Sequence, residues 1–207
     1  MNRIYAIGAA GLLAALIGGT AGYLFFAGQS NADPLAQCRE GNVGGADIGG
    51  PFTLLDKTGT EVTDKEVITR PTLVYFGYTF CPDVCPFDMS RNAEALDLLK
   101  DAGRDVGLVF VTVDPGRDTP QVVGDYAEAF SETAIGLTGS PEQIDAAAKA
   151  YRVYYNLQPA TDDFYMVDHS AFTYLMLPGI GFADFYRRDA TPEQIAKGVG
   201  CMLDVTG

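Results

Sequence analysis

Two short runs, Leu73-Val74-Tyr75-Phe76 and Leu108-Val109-Phe110-Val111-Thr112-Val113, constrain this chain more than any other feature. Neither shows the polar alternation of a strand with one wet face. Runs of this kind are buried on both faces, which requires helices packed over the sheet they form. A third, shorter run lies near residues 134–137. Helix starts separate the runs: Ser140-Pro141-Glu142-Gln143 and Thr191-Pro192-Glu193-Gln194 each offer a capping hydroxyl, a proline in the first turn and a Gln three residues on, and Asp118-Thr119-Pro120 follows similar logic. In the last helix Ile195, Val199, Met202 and Leu203 form the core-facing stripe. Residues 52–55 and 61–63 flank Asp56-Lys57-Thr58-Gly59 as a hairpin, and residues 171–177 and 182–186 read as two strands joined by Pro178-Gly179-Ile180-Gly181. The predicted order is hairpin, strand, helix, strand, helix, strand, helix, two strands, helix, an α/β layered fold.

The chain has 207 residues, enough for one domain and a short appendage. Residues 4–27 contain no charged side chain, and the only charged side chain before them is Arg3. As a helix this run would be about 36 Å long, sufficient to cross a hydrocarbon core of about 30 Å. The positive N-terminal flank predicts that end in the cytoplasm and the rest outside. The expected organisation is a membrane anchor over residues 1–28, a Gly/Asn/Asp/Ala-rich tether over 29–50 and a folded domain over 51–207, single-pass in the inner membrane and facing the periplasm. Two rival readings are a signal peptide cleaved near Ser30-Asn31-Ala32, whose apolar stretch would ordinarily be shorter, and a lipoprotein through Leu35-Ala36-Gln37-Cys38, where Gln37 is a poor neighbour for a lipidated cysteine. A formal net charge of −13 argues against nucleic acid as a partner, since a phosphate-binding surface needs clustered Lys and Arg. It suits a soluble surface that attracts cationic partners.

The segment Phe80-Cys81-Pro82-Asp83-Val84-Cys85-Pro86 follows directly on the first buried strand. Pro86 is expected at the first position of a helix, with Cys85 at its N-cap and Cys81 on the loop above. Both sulfurs would then face the unpaired N–H groups of the helix start, which stabilise thiolate over thiol. The pair alone is compatible with a redox disulfide, a metal site or a structural bridge. His169, the single histidine of the chain, stands in Val167-Asp168-His169-Ser170, just before a late strand. Disulfide exchange needs no histidine, whereas two thiolates and one imidazole form a soft set of three donors that favours copper, with Cu(I) content in trigonal geometry. Structural zinc would want a fourth ligand, which no second histidine exists to supply. Asp168 is a candidate to orient the imidazole, to add an oxygen ligand to Cu(II) or to occupy an ordinary turn. Met89 and Met166 are soft sulfurs near these motifs but are read as packing residues. Arg117 is a candidate to pair with Asp118 or to meet an acidic partner, within a turn whose plain role is to cap a helix.

Taken together, Gly77-Tyr78-Thr79-Phe80-Cys81-Pro82-Asp83-Val84-Cys85-Pro86, Val113-Asp114-Pro115-Gly116-Arg117-Asp118-Thr119-Pro120 and Val167-Asp168-His169-Ser170 resemble the three signatures of the Sco/SenC family, and the resemblance covers about residues 45–205. It implies a thioredoxin-like fold, a central mixed sheet flanked by helices, behind an uncleaved N-terminal transmembrane helix. It implies copper, as Cu(I) or Cu(II) and one ion per chain, with the family's ligands falling on Cys81, Cys85 and His169. The implied partners are the copper-receiving subunit of cytochrome c oxidase and other copper chaperones. The family's cysteines can also cycle between dithiol and disulfide. Two departures stand out. Cys38 and Cys201 are additional, and in an oxidising compartment a leftover pair is expected to bridge, the alternative being two free thiols. The loop at Leu177-Pro178-Gly179 also lacks an acidic residue before the proline.

Two functions follow as expectations. One is a metallochaperone that passes copper to an oxidase subunit. The other is a thiol–disulfide oxidoreductase that uses Cys81 and Cys85 to reduce the cysteines of that subunit. A peroxidase of the peroxiredoxin type is disfavoured by the position of Thr79 relative to Cys81. A sensor signalling through the membrane helix would have only a few cytoplasmic residues to signal with.

Overall fold

The computed structural model describes residues 16–23, 33–39, 48–159 and 165–207. They fall into two compact units, Met1–Gln37 and Cys38–Gly207. Within the first, residues 16–23 are helical. Among the described residues no helix is long and apolar enough to cross a membrane. Most of the expected anchor over residues 1–28, and most of the expected tether over 29–50, lie outside the described residues.

The second unit opens with β1 (Thr53–Leu55) and β2 (Glu61–Thr63), antiparallel and closed by a turn in which Asp56 accepts hydrogen bonds from the backbone of Thr58 and Thr60. A short helix not anticipated from sequence, α1 (Asp64–Val67), follows at once, started by a reciprocal capping box between Thr63 and Glu66. Then come β3 (Thr72–Gly77), α2 (Val84–Asp101), β4 (Gly107–Thr112), α3 (Pro120–Glu128), β5 (Ile135–Leu137) and α4 (Pro141–Ala150). After a small hairpin of β6 (Tyr155–Leu157) and β7 (Val167–His169), the chain ends with β8 (Thr173–Leu177), β9 (Gly181–Tyr186) and α5 (Pro192–Thr206). That β6–β7 hairpin is the second element not anticipated from sequence: His169 lies within a strand as well as shortly before one.

One sheet of five strands, in the order β5-β4-β3-β8-β9, forms the centre. The β5, β4 and β3 pairings are parallel and the β3–β8 and β8–β9 pairings antiparallel, so the sheet is mixed. Every residue of β3, β4 and β8 is buried, as the unbroken apolar runs require. Burying a Leu, Val or Phe side chain is worth about 1.5–3 kcal/mol, so these strands dominate the stability of the unit. Gly136 in β5 lets α3 come close, since a Cβ there would stand 2.1 Å from the carbonyl oxygen of Val123. Thr119, Ser140 and Thr191 cap α3, α4 and α5 through their hydroxyls, with proline in the first turn of each. The expected stripe of α5 holds at Ile195, Val199 and Met202, which are buried, while Leu203 is half-buried.

The start of α2 differs from expectation. The helix begins at Val84 with Asp83 in the N-cap position, so Cys85 and Pro86 are its second and third residues. The physical reason is that the first four N–H groups of a helix have no intrahelical acceptor, so a proline within them removes no helical hydrogen bond.

Cys38 and Cys201 are joined by a disulfide, with Cα atoms 5.6 Å apart and a sequence separation of 163. It ties the beginning of this unit to α5. Closing so long a loop restricts the unfolded chain strongly. Replacing both cysteines by Ser is expected to lower stability by about 2–5 kcal/mol, read as a fall in the urea midpoint; an unmoved midpoint would remove the bridge from the list of stabilising features.

Candidate metal centre

The parallel strands β3 and β4 deliver their following loops to the same edge of the sheet, and the centre is built there. Cys81 lies on the loop between β3 and α2, Cys85 in the first turn of α2, and His169 on the β6–β7 hairpin, where it pairs with Tyr155. The sulfurs of Cys81 and Cys85 and a ring nitrogen of His169 all lie within 4.8 Å of one another. The Nε2 atom of His169 is 3.3 Å from the Cys85 Sγ. Cys85 is fully buried, Cys81 is 8% exposed and His169 is half-buried, so the imidazole forms the outer rim. Both cysteines are free thiols. All three residues singled out in the sequence therefore meet.

The imidazole is held in a defined tautomer. Its Nδ1 lies 3.0 Å from the carbonyl oxygen of Ser170, which can only accept, so Nδ1 carries the proton and Nε2 presents its lone pair toward the sulfurs. Ser170 is anchored in turn: its N–H donates to the Tyr154 carbonyl, and its hydroxyl accepts from the Tyr154 N–H. The edge-on rings of Tyr78 and Tyr75 lie against the imidazole, with centroids 5.8 and 6.3 Å away. Asp168, a sequence candidate for the orienting role, does not fill it. Its carboxylate accepts from the Gln158 side chain, because successive side chains of a strand point to opposite faces.

The two sulfurs are electrostatically unequal. The Cys85 N–H, an orphan donor of the α2 start, lies 3.3 Å from the Cys81 Sγ. The hydrogen bond from the Cys85 thiol, with help from the Cys85 and Asp83 N–H groups, holds Cys81 well below the ordinary thiol range despite burial. Cys85 moves in the opposite direction, pushed up by the Cys81 partner and by burial. The pair is therefore biased to keep its proton on the inner sulfur and negative charge on the outer. Beneath Cys85, the Tyr75 hydroxyl donates to Asp88 at 3.0 Å, and burial pushes that phenol upward. Burial also raises Asp88, while the Arg91 guanidinium, 3.1 Å away, offsets part of the rise.

Two supports of the cysteine loop were missed in the sequence. Gly77 leaves room for the inner sulfur, since a Cβ there would be 2.9 Å from the Cys85 Sγ. Asp118 is wholly buried and accepts three hydrogen bonds, from the Thr79 N–H at 3.0 Å and from the Thr79 and Thr112 hydroxyls at 2.5 Å each. It thereby fastens the cysteine loop to the end of β4. The signal was present in the motif at residues 113–120, but nothing in a linear sequence distinguishes an internal carboxylate from a capping one. Arg117 pairs with Asp114, not with Asp118. Met89 is buried in α2, and the Met166 sulfur accepts from the Tyr78 hydroxyl at 3.9 Å.

A thioredoxin-like domain that converges two thiols and an imidazole on the loop after its central strand is a soft-metal-binding protein of the thioredoxin class. The chain belongs to the SCO1/SenC family, whose profile matches residues 40–204. Protein SenC of Rhodobacter capsulatus is 58% identical over 173 residues, covering 83% of this chain and 78% of that protein. The mitochondrial SCO1 homolog 1 of Arabidopsis thaliana is 43% identical, covering 82% of this chain and 51% of that protein. The chain thus spans only about half the length of the plant relative. Among solved structures, Arabidopsis thaliana ScoI with copper bound superposes with a TM-score of 0.72 at 43% identity, over 76% of this chain and 99% of that one. Bradyrhizobium japonicum ScoI with copper bound gives 0.66 at 42% identity, over 74% of this chain and 98% of that one.

The inequality of the sulfurs has a measurable consequence. A lowered value means that Cys81 stays a thiolate as pH falls, whereas an ordinary thiol, with a pKa of about 8.5, loses about tenfold in thiolate per pH unit below it. Alkylation of the reduced chain at about pH 6 is therefore expected at Cys81 alone, with Cys85 modified only after unfolding. Peptide mapping checks this, and equal labelling of the two cysteines would overturn the assignment.

Proposed function

We propose that the chain is a copper metallochaperone: Cys81, Cys85 and His169 hold one copper ion as cargo, for assembly of the copper centre of cytochrome c oxidase. The observation that carries this reading is the convergence of two sulfurs and an Nε2 lone pair at a rim, fixed by hydrogen bonds that select the metal-binding tautomer. The donor set fits copper on its own chemistry, since two thiolates and an imidazole satisfy trigonal Cu(I), and among the described residues no carboxylate joins the cluster to favour a harder ion. Cys81 gives up its proton far more readily than Cys85, so the proton that the entering ion has to displace is chiefly that of Cys85. The His169 edge is partly exposed, which suits exchange of one ligand at a time with a recipient. Copper-bound structures of relatives at 42–43% identity support the choice of metal. The oxidase as destination comes from the family resemblance, as does the recipient, a copper-receiving subunit. Residues 1–28 anchor the chain in the inner membrane, with the folded unit in the periplasm; the uncharged run over residues 4–27 supports this.

Titration of the reduced full chain with copper is expected to saturate at one ion per chain and to give thiolate-to-Cu(II) charge-transfer absorption with Cu(II). Cys81→Ser, Cys85→Ser and His169→Ala should each abolish that band. Equal copper affinity in wild type and His169→Ala would overturn the three-donor reading. Membrane fractionation of the full chain beside one lacking residues 1–28 tests the anchor, which would be refuted by equal solubility of the two.

A second reading is favoured by one observation, the Cys85 N–H directed at the sulfur of the outer cysteine while the inner cysteine is wholly buried, which is the arrangement of a disulfide reductase. In that chemistry Cys81 attacks a partner disulfide and Cys85 then displaces the reduced partner, leaving a Cys81–Cys85 disulfide. His169 takes no bond in these steps. His169→Ala should therefore retain stoichiometric reduction of a small disulfide while keeping only the weaker copper binding of its two cysteines.

A further inference from the structure

The turn after β4 holds a charged side chain that takes no part in the donor set. Arg117 is only 13% exposed along its side chain, and its Nε donates to the Asp114 carboxylate at 2.5 Å. Among the described residues its two buried terminal nitrogens have no oxygen acceptor. Buried donors of this kind are costly unless something compensates them. The compensation here is aromatic: the guanidinium carbon lies 3.6 Å from the Tyr165 ring centroid, 4.8 Å from Phe80 and 5.8 Å from Tyr78.

These rings belong to two different parts of the centre. Tyr78 and Phe80 are on the loop that leads into Cys81, and Tyr165 is on the segment that leads into β7 and His169. The Tyr165 hydroxyl also donates to Asp114 at 2.6 Å, so one buried carboxylate grips both Arg117 and Tyr165. Asp114 is itself fixed to β4 by its N–H on the Thr112 hydroxyl. The hairpin that bears His169 needs such a grip. Its two strands of three residues form a separate sheet, among the described residues paired only with each other, and a lone pair of strands is marginal in water.

We propose that Arg117 is a positioning residue of the metal centre, clamping the His169 segment to the Cys81 loop and so deciding whether the imidazole stands within reach of the sulfurs. The inference rests on the three-donor reading above and adds to it the device that closes the third donor onto the other two. Among the described residues the terminal nitrogens have no alternative acceptor, which makes the contact with the rings the stable state of that side chain.

The test uses the full chain with Arg117→Met, which keeps the length and removes the charge. In the metal-free protein the single histidine gives an unambiguous ring signal, displaced by the neighbouring tyrosines. In Arg117→Met that signal should move toward the position of a solvated histidine. Copper affinity should fall by roughly tenfold or more, the usual range for loss of a residue that orients a ligand. In a His169→Ala background the same substitution should cause no further loss, because the donor it positions is already gone. If Arg117→Met does not fold, Tyr165→Phe carries the test: it keeps the ring, removes the bond to Asp114, and should shift the imidazole signal in the same direction. An unshifted signal and unchanged affinity would overturn the clamp, and so would an equal loss with and without His169, which would mark a purely structural role. Failure of the wild type to bind copper would refute the three-donor reading instead, and the imidazole signal would still decide the clamp.

Discussion

The start of α2 is the constraint on which the rest depends. A helix that begins directly after a buried central strand presents N–H groups that no helical carbonyl can satisfy. In this protein one of them, on Cys85, is aimed at the Cys81 sulfur. That contact, the thiol of the same residue and the positive end of the helix give the outer sulfur its charge. The centre is thus prepared for a cation before one arrives. The cost is a fully buried inner sulfur that keeps its proton, packed against Gly77 because no larger residue would leave it room.

Around this nucleus the fold divides the work between rigid and adjustable parts. The five-stranded sheet fixes β3 and β4, and through Asp118 it fixes the loop between β3 and α2. The third donor arrives on a small separate hairpin, joined to the site through ring contacts and side-chain hydrogen bonds rather than through the main sheet. A protein that must hold an ion and then release it benefits from such a division. The two sulfurs stay where the sheet places them, while the imidazole rests on contacts of modest individual strength. SCO1/SenC membership and the copper-bound relatives fit this arrangement, in which the metal is cargo.

Much of the fold was legible because its signals are local. Unbroken apolar runs announced β3 and β4, and the Ser/Thr-Pro-Glu-Gln segments announced α4 and α5 to the residue, since a capping hydroxyl and a first-turn proline act within four positions. The helix α1 was missed although its Thr63–Glu66 capping box is equally local, because at four residues it has no apolar periodicity to read. The β6–β7 hairpin was missed for a different reason: its strands of three residues are separated by a long connection and are defined by their pairing with each other. The N-cap of α2 was placed two residues late, because a proline is tolerated anywhere in the first turn and so marks a helix start only loosely.

By itself the sequence determined the donor types, the order in which they appear along the chain, and the strand and helix that flank the Cys81 loop, since each of these depends on residue chemistry or on neighbours a few positions away. Only the tertiary structure decided that His169 turns its Nε2 toward Cys85, that Ser170 rather than Asp168 orients it, that Asp118 and Asp114 are internal anchors, and that Arg117 sits among three rings. Those outcomes depend on which distant segments share a buried space. Burial and direction are properties of the packed chain, and a lone carboxylate or guanidinium reads the same in a sequence whether water or protein surrounds it.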